Sequence, residues 1–244
     1  MRLRSEHPLI EFFSTVDGLN SIEEVRPQPS RNFIPHWWKE LPKGGPGNPA
    51  QTARVCPSFP DFFSSGFVVP MWADTTLFHD VNAGLWSWKM GKPMPENPFS
   101  ADSHPSAQFT DYVTPLTQGN PGSFVFKFHS PWKLKTPKGY SVLQLPMFYH
   151  FNNEFSVLPG VIHTDMHHVI NQQVLYHGNG QEIFIKRGTP LVQYFPFKRA
   201  DYGITTRDAT EQDTSVLAEQ DLNLISKFLG SGAYSSYVKR KKGN

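Results

Sequence analysis

Twenty-two prolines and 18 glycines, scattered along 244 residues, restrict this chain more than any other feature of its sequence. Each proline fixes φ and removes a backbone donor, so long uninterrupted helices are excluded over most of the length. What remains is short strands joined by turns and ordered loops. An aromatic share of 14% with a net charge of only +2 excludes a disordered chain, which would have few aromatics and a high net charge. The same near-neutrality disfavours a dedicated nucleic-acid binder. The single cysteine, Cys56, rules out an internal disulfide framework and, lacking a second thiol, a cysteine-rich zinc site. It reads as a small buried residue, in a cytoplasmic or virion setting. No run of about 18 apolar residues occurs, so no membrane span is expected, and the N-terminus carries no secretory pattern.

The pattern along the chain predicts a mainly β protein in three parts. Residues 1–60 read as an extended, proline-rich arm packed on the core. In it, Leu9–Phe13 forms a short strand and Trp37-Trp38 pin one helical turn by aromatic burial. Residues 43–49 read as a loop. Residues 61–200 read as the β core, a sandwich or barrel. Its strands begin with Phe62-Phe63 and Phe67–Trp72, continue with Leu85–Met90, and are densest over 123–198. The stretch 91–122 reads as a long functional or interface loop. Residues 201–244 hold the one convincing helix, 209–229, with Thr210 as N-cap, acids in its first turn and Gly230 as its stop, followed by a basic tail at 239–244.

Two local patterns carry chemistry. The first is residues 160–168, Gly-Val-Ile-His-Thr-Asp-Met-His-His. In an extended conformation, period two places His163, Asp165 and His167 on one face, a ligand set suited to zinc or iron with positions left open for substrate. His163-x-Asp165 also matches the first half of the two-His-one-carboxylate site of iron and 2-oxoglutarate oxygenases. In a turn, the three side chains diverge, and the histidines read as hydrogen-bonded turn or interface residues. The second pattern is basic. Lys138, Lys186 and Arg187 would contact phosphate, Ser141 would donate a hydrogen bond, and Asp165 or His163 would activate water. No P-loop, dinucleotide fingerprint or nucleophile elbow is present.

The order of residues 136–141 (Thr-Pro-Lys-Gly-Tyr-Ser), 160–166 and 188–193 (Gly188 through Gln193) resembles the dUTPase and dCTP deaminase superfamily. That resemblance implies a β-clip or jelly-roll-like sandwich, usually trimeric. It places Lys138, Tyr140 and Ser141 at a phosphate turn, 160–166 at a base- and sugar-holding hairpin, and Gln193 at a strand start. His163 stands where those enzymes commonly have the water-activating aspartate, Met166 where the sugar-stacking tyrosine sits, and His167-His168 where a glycine follows. Residues 230–236 are similar to the glycine-rich flap. The chain as a whole resembles an uncharacterised family found in tailed phages and bacteria, through Pro35–Lys39, Pro131–Ser141 and Arg187–Arg199, which implies a phage or bacterial setting.

Three readings follow. One is a non-catalytic oligomeric or binding module, a homo-oligomer such as a trimer acting as a phage structural or accessory protein. Another is a nucleotide-directed hydrolase with an altered site. The third is a metal-dependent oxygenase. Long arms that order on a neighbour favour the first.

Overall fold

A computed structural model describes residues 8–42, 52–56, 58–80, 85–91, 101–103, 108, 124–177 and 182–229. The expected loop at 43–49, most of the stretch 91–122, the stop at Gly230, the flap-like segment 230–236 and the basic tail lie outside them.

Fourteen strands are described, and every pairing is antiparallel. In chain order they are β1 (Glu11–Ser14), β2 (Gln28–Pro29), β3 (Phe67–Pro70), β4 (Thr75–Asp80), β5 (Leu85–Met90), β6 (Ala101–Ser103) and β7 (Phe124–Phe128). They continue with β8 (Trp132–Lys135), β9 (Tyr140–Pro146), β10 (Phe155–Val157), β11 (Gly160–Ile162), β12 (Gln172–Tyr176), β13 (Ile183–Ile185) and β14 (Pro190–Lys198). They form sheets of five (β11-β9-β14-β3-β2), four (β10-β12-β7-β6), three (β13-β4-β5) and two strands (β1-β8). The mainly β expectation holds, as does the C-terminal helix, here α3 (Glu211–Leu229). Among the described residues two short α-helices precede it, α1 (His36–Glu40) and α2 (Ser58–Ser64). The second is a correction: Phe62-Phe63 lie in a helical turn, not a strand. Pro60 falls in its first turn, where no intrahelical donor is lost.

The chain divides into two compact units. The first joins residues 1–39 to 63–199, so the front of the arm belongs with the sheets. There β1 pairs with β8 and β2 with β3. All four sheets of this unit contribute to one buried cluster, which includes Val142, Val192 and Tyr194 of the five-stranded sheet, Phe126, Phe128 and Tyr176 of the four-stranded one, Leu77 and Ile185, and Trp132 and Leu134. Inside it, Gln172 Nε2 donates to the Tyr194 hydroxyl at 2.8 Å, which donates to Gln144 Oε1 at 3.0 Å, tying the two larger sheets together. Burial pushes the Tyr194 phenol well above its ordinary range, so it stays a donor at any working pH.

The second unit holds 40–62 and 200–244. In it, Arg54 Nη1 donates to the Leu41 carbonyl at 3.1 Å. Helix α3 begins with a reciprocal box: Asp213 N donates to Thr210 Oγ1 at 3.2 Å, and Thr210 N donates to Asp213 Oδ2 at 2.8 Å. Among the described residues no helix is long and apolar enough to cross a membrane. Cys56 is free and half-buried.

Candidate functional site

Strand β14 is buried over Leu191–Tyr194, then leaves the core, so that Phe197 and Lys198 are exposed. Its register against β9 pairs Phe197 with Ser141 and Lys198 with Tyr140. The next residue, Arg199, therefore arrives beside the turn that starts β9, where its N–H donates to the Gly139 carbonyl at 2.8 Å. That turn closes through Tyr140 N and the Pro137 carbonyl at 3.1 Å, and Gly139 occupies the left-handed region at φ 84°, which a side chain would strain. On the other edge of β9, β11 pairs Ile162 with Val142 and delivers residues 163–168 to the same corner.

Here the chain turns rather than extends. Met166 N and His167 N both donate to the His163 carbonyl, at 3.0 and 2.9 Å. The aligned face of His163, Asp165 and His167 that an extended strand would give is not formed. Among the described residues no group of three or more His, Cys, Asp or Glu is placed to hold a metal ion.

Asp165 is instead the centre of a clamp. Arg199 grips its carboxylate with both terminal nitrogens, Nη1 to Oδ1 at 2.8 Å and Nη2 to Oδ2 at 2.5 Å, and Gly139 N donates to Oδ2 at 2.9 Å. The Asp165 side chain is only 5% exposed. The Arg199 guanidinium, then the Gly139 N–H, hold its carboxyl well below the usual carboxylate range, and Asp165 in turn raises Arg199. Arg199 Nη1 also reaches the Tyr140 carbonyl at 2.9 Å and Ser141 Oγ at 2.8 Å.

Ser141, fully buried, lies 2.7 Å from His163 Nδ1 through its hydroxyl. A guanidinium only donates, so Ser141 accepts from Arg199, and its hydroxyl shares a second hydrogen bond with His163 Nδ1. Behind the turn, the buried hydroxyls of Thr136 and Thr164 meet at 2.8 Å, and His168 Nδ1 donates to the Thr164 carbonyl at 2.8 Å. Lys138, Val161, His163, Met166 and His167 are exposed around this base.

The structure thus brings together Lys138, Tyr140, Ser141, His163 and Asp165, with His167 at the rim. It does not bring Arg187 or Gln193 to them. Arg187 lies beyond the other end of β14, with its Nε on Glu24 at 2.5 Å and its N–H on Asp74 at 2.7 Å. Gln193 is buried at mid-strand and donates to the Ser65 carbonyl at 2.8 Å. Arg199 was not singled out as a site residue. Its signal is the second of two adjacent cations, after Lys198, just past the longest described strand, and its partner depends on a register the sequence does not print.

No protein-family model matches the sequence, and no curated protein matches it. Among solved structures, phage dUTPases align with this chain. A Staphylococcus bacteriophage 80alpha dUTPase mutant with dUpNHpp aligns over 83% of this chain and 90% of its own, at 9% identity and a TM-score of 0.36. A second mutant of that enzyme aligns over 85% and 99%, at 8% identity and a TM-score of 0.36. A mutant dUTPase from phage phi11 of S. aureus aligns over 60% and 85%, at 10% identity and a TM-score of 0.32. No residue's role is carried across at these levels.

Proposed function

We propose that the chain is a non-catalytic binding module that works as a homo-oligomer, a trimer in the simplest case, with the corner around Asp165 as a rigid recognition face. The observation that carries this reading is the clamp on Asp165. A general base must accept a proton near the working pH. A carboxylate gripped by a guanidinium and a backbone N–H resists protonation, and its two oxygens already hold three donors. Ser141, buried and hydrogen-bonded on two sides, offers no exposed nucleophile. The outward residues are of a kind found at interfaces: Met166 is 71% and Val161 55% exposed, beside His163 and His167. A phage particle component is one partner in keeping with this reading.

The test is to incubate the protein with dUTP and the other deoxynucleoside triphosphates, with and without Mg²⁺, and to follow phosphate and pyrophosphate release. No turnover is expected, alongside an oligomer by light scattering. Turnover that disappears in Asp165→Asn or His163→Ala would establish the hydrolase reading instead.

A further inference from the structure

Residues 147–154, Met-Phe-Tyr-His-Phe-Asn-Asn-Glu, link β9 to β10, and nothing in the corner uses them. Two of them, Tyr149 at φ 66° and Phe151 at φ 52°, sit in the left-handed region, which bulky side chains rarely adopt. The surroundings enforce this shape. Trp37 Nε1 donates to the Tyr149 carbonyl at 2.6 Å, and His150 Nε2 donates to the Phe33 carbonyl at 3.0 Å. Asn152 Oδ1 accepts from Glu154 N at 2.8 Å. The Trp37 ring lies 5.5 Å from that of Phe151 and supports it from one side. Strained backbone held this firmly clusters at ligand clamps.

The loop borders a groove of about 710 Å³, within the range of small-ligand sites. Phe151, 66% exposed, and Phe148, 47% exposed, present ring surface there, and Asn153 and Glu154 follow directly, both exposed. Among the described residues that line the groove there is no lysine or arginine, and Glu154 is the only carboxylate. A phosphate-bearing ligand would meet no counter-charge and one like charge. The chemistry that fits is a flat apolar face for the rings with a rim of uncharged hydroxyls for the amide and carboxylate.

We propose that this groove binds a neutral oligosaccharide, one pyranose ring stacking on Phe151 while its hydroxyls hydrogen-bond Asn153 and Glu154. The full chain is titrated by calorimetry with neutral tetrasaccharides (β-1,4-glucan, α-1,4-glucan and β-1,4-linked N-acetylglucosamine), with uridine, dUMP and choline in parallel. At least one sugar is expected to bind more tightly than about 1 mM, and Phe151→Gly to weaken it about tenfold or more. Glycine keeps the left-handed backbone, so that variant tests the ring and not the loop. Far-ultraviolet circular dichroism checks that it folds as the parent does. Absence of sugar binding up to about 10 mM would overturn the proposal. So would binding that survives Phe151→Gly, or tighter binding of uridine, dUMP or choline than of every sugar.

Discussion

Asp165 shows how one residue's environment sets its behaviour. Folded, its carboxyl takes up a proton only well below the ~3.9 of an unfolded aspartate. The unfolded chain therefore binds more protons in acid. The clamp's contribution to stability is complete above about pH 5 and fades as pH falls through the carboxylate range. Melting temperature followed from about pH 6 to pH 2.5 should drop less steeply in Asp165→Asn than in the parent, and an identical slope would show the clamp to be energetically idle. Gly66 and Gly139 give a second contrast. Both have positive φ, 74° and 84°, but a Cβ on Gly66 would lie 2.1 Å from the Tyr194 carbonyl oxygen, whereas one on Gly139 meets nothing within 4 Å. Gly139→Ala should cost about 1–2 kcal/mol for the left-handed backbone alone. Gly66→Ala should cost more, because β3 and β14 must part to admit the methyl group. Urea unfolding ranks the two.

At the scale of elements, helix α3 depends on its first turn. Removing the Thr210 hydroxyl frees one donor and breaks the box with Asp213, which also holds Arg207. Thr210→Ala should destabilise the helix by about 1 kcal/mol, read as lost ellipticity at 222 nm on heating. This cap was legible in the sequence because all its parts lie within four residues. So were β7, β9 and β14, whose aromatic and β-branched runs sit between turn residues. Strand β12 was not. It opens with Gln172-Gln173, and the buried Gln172 side chain donates both to the nearby Ile170 carbonyl and to Tyr194, 22 residues on. Helix α2 was misread because paired phenylalanines suit a strand as well as a helix. The candidate site was half legible for the same reason. Lys138, Tyr140, Ser141, His163 and Asp165 fall in two local motifs, while Arg199 acquires its role only once three strands are in register. The aromatic loop at 147–154 carries no signal in the sequence, because nothing local distinguishes an exposed phenylalanine from a buried one.

Taken whole, the sheets of the larger unit are woven from distant segments. Residues 11–14 pair with 132–135, and β14 lies between β3 and β9. The corner too is closed by non-local contacts: its hydrogen bonds span 26 residues from Gly139 to Asp165, 34 from Asp165 to Arg199 and 58 from Ser141 to Arg199. Each such loop is entropically costly to close before its contacts form. The clasp should therefore fasten after the rate-limiting step, acting on how long the native state survives and scarcely on how quickly it is reached. In a stopped-flow chevron, Arg199→Ala should raise the unfolding limb and leave the refolding limb nearly in place, whereas slowed refolding would put the corner in the nucleus. A fold finished this way owes its persistence to a latch at the rim, and a partner that bound over the latch would prolong the folded lifetime without adding a contact to the interior.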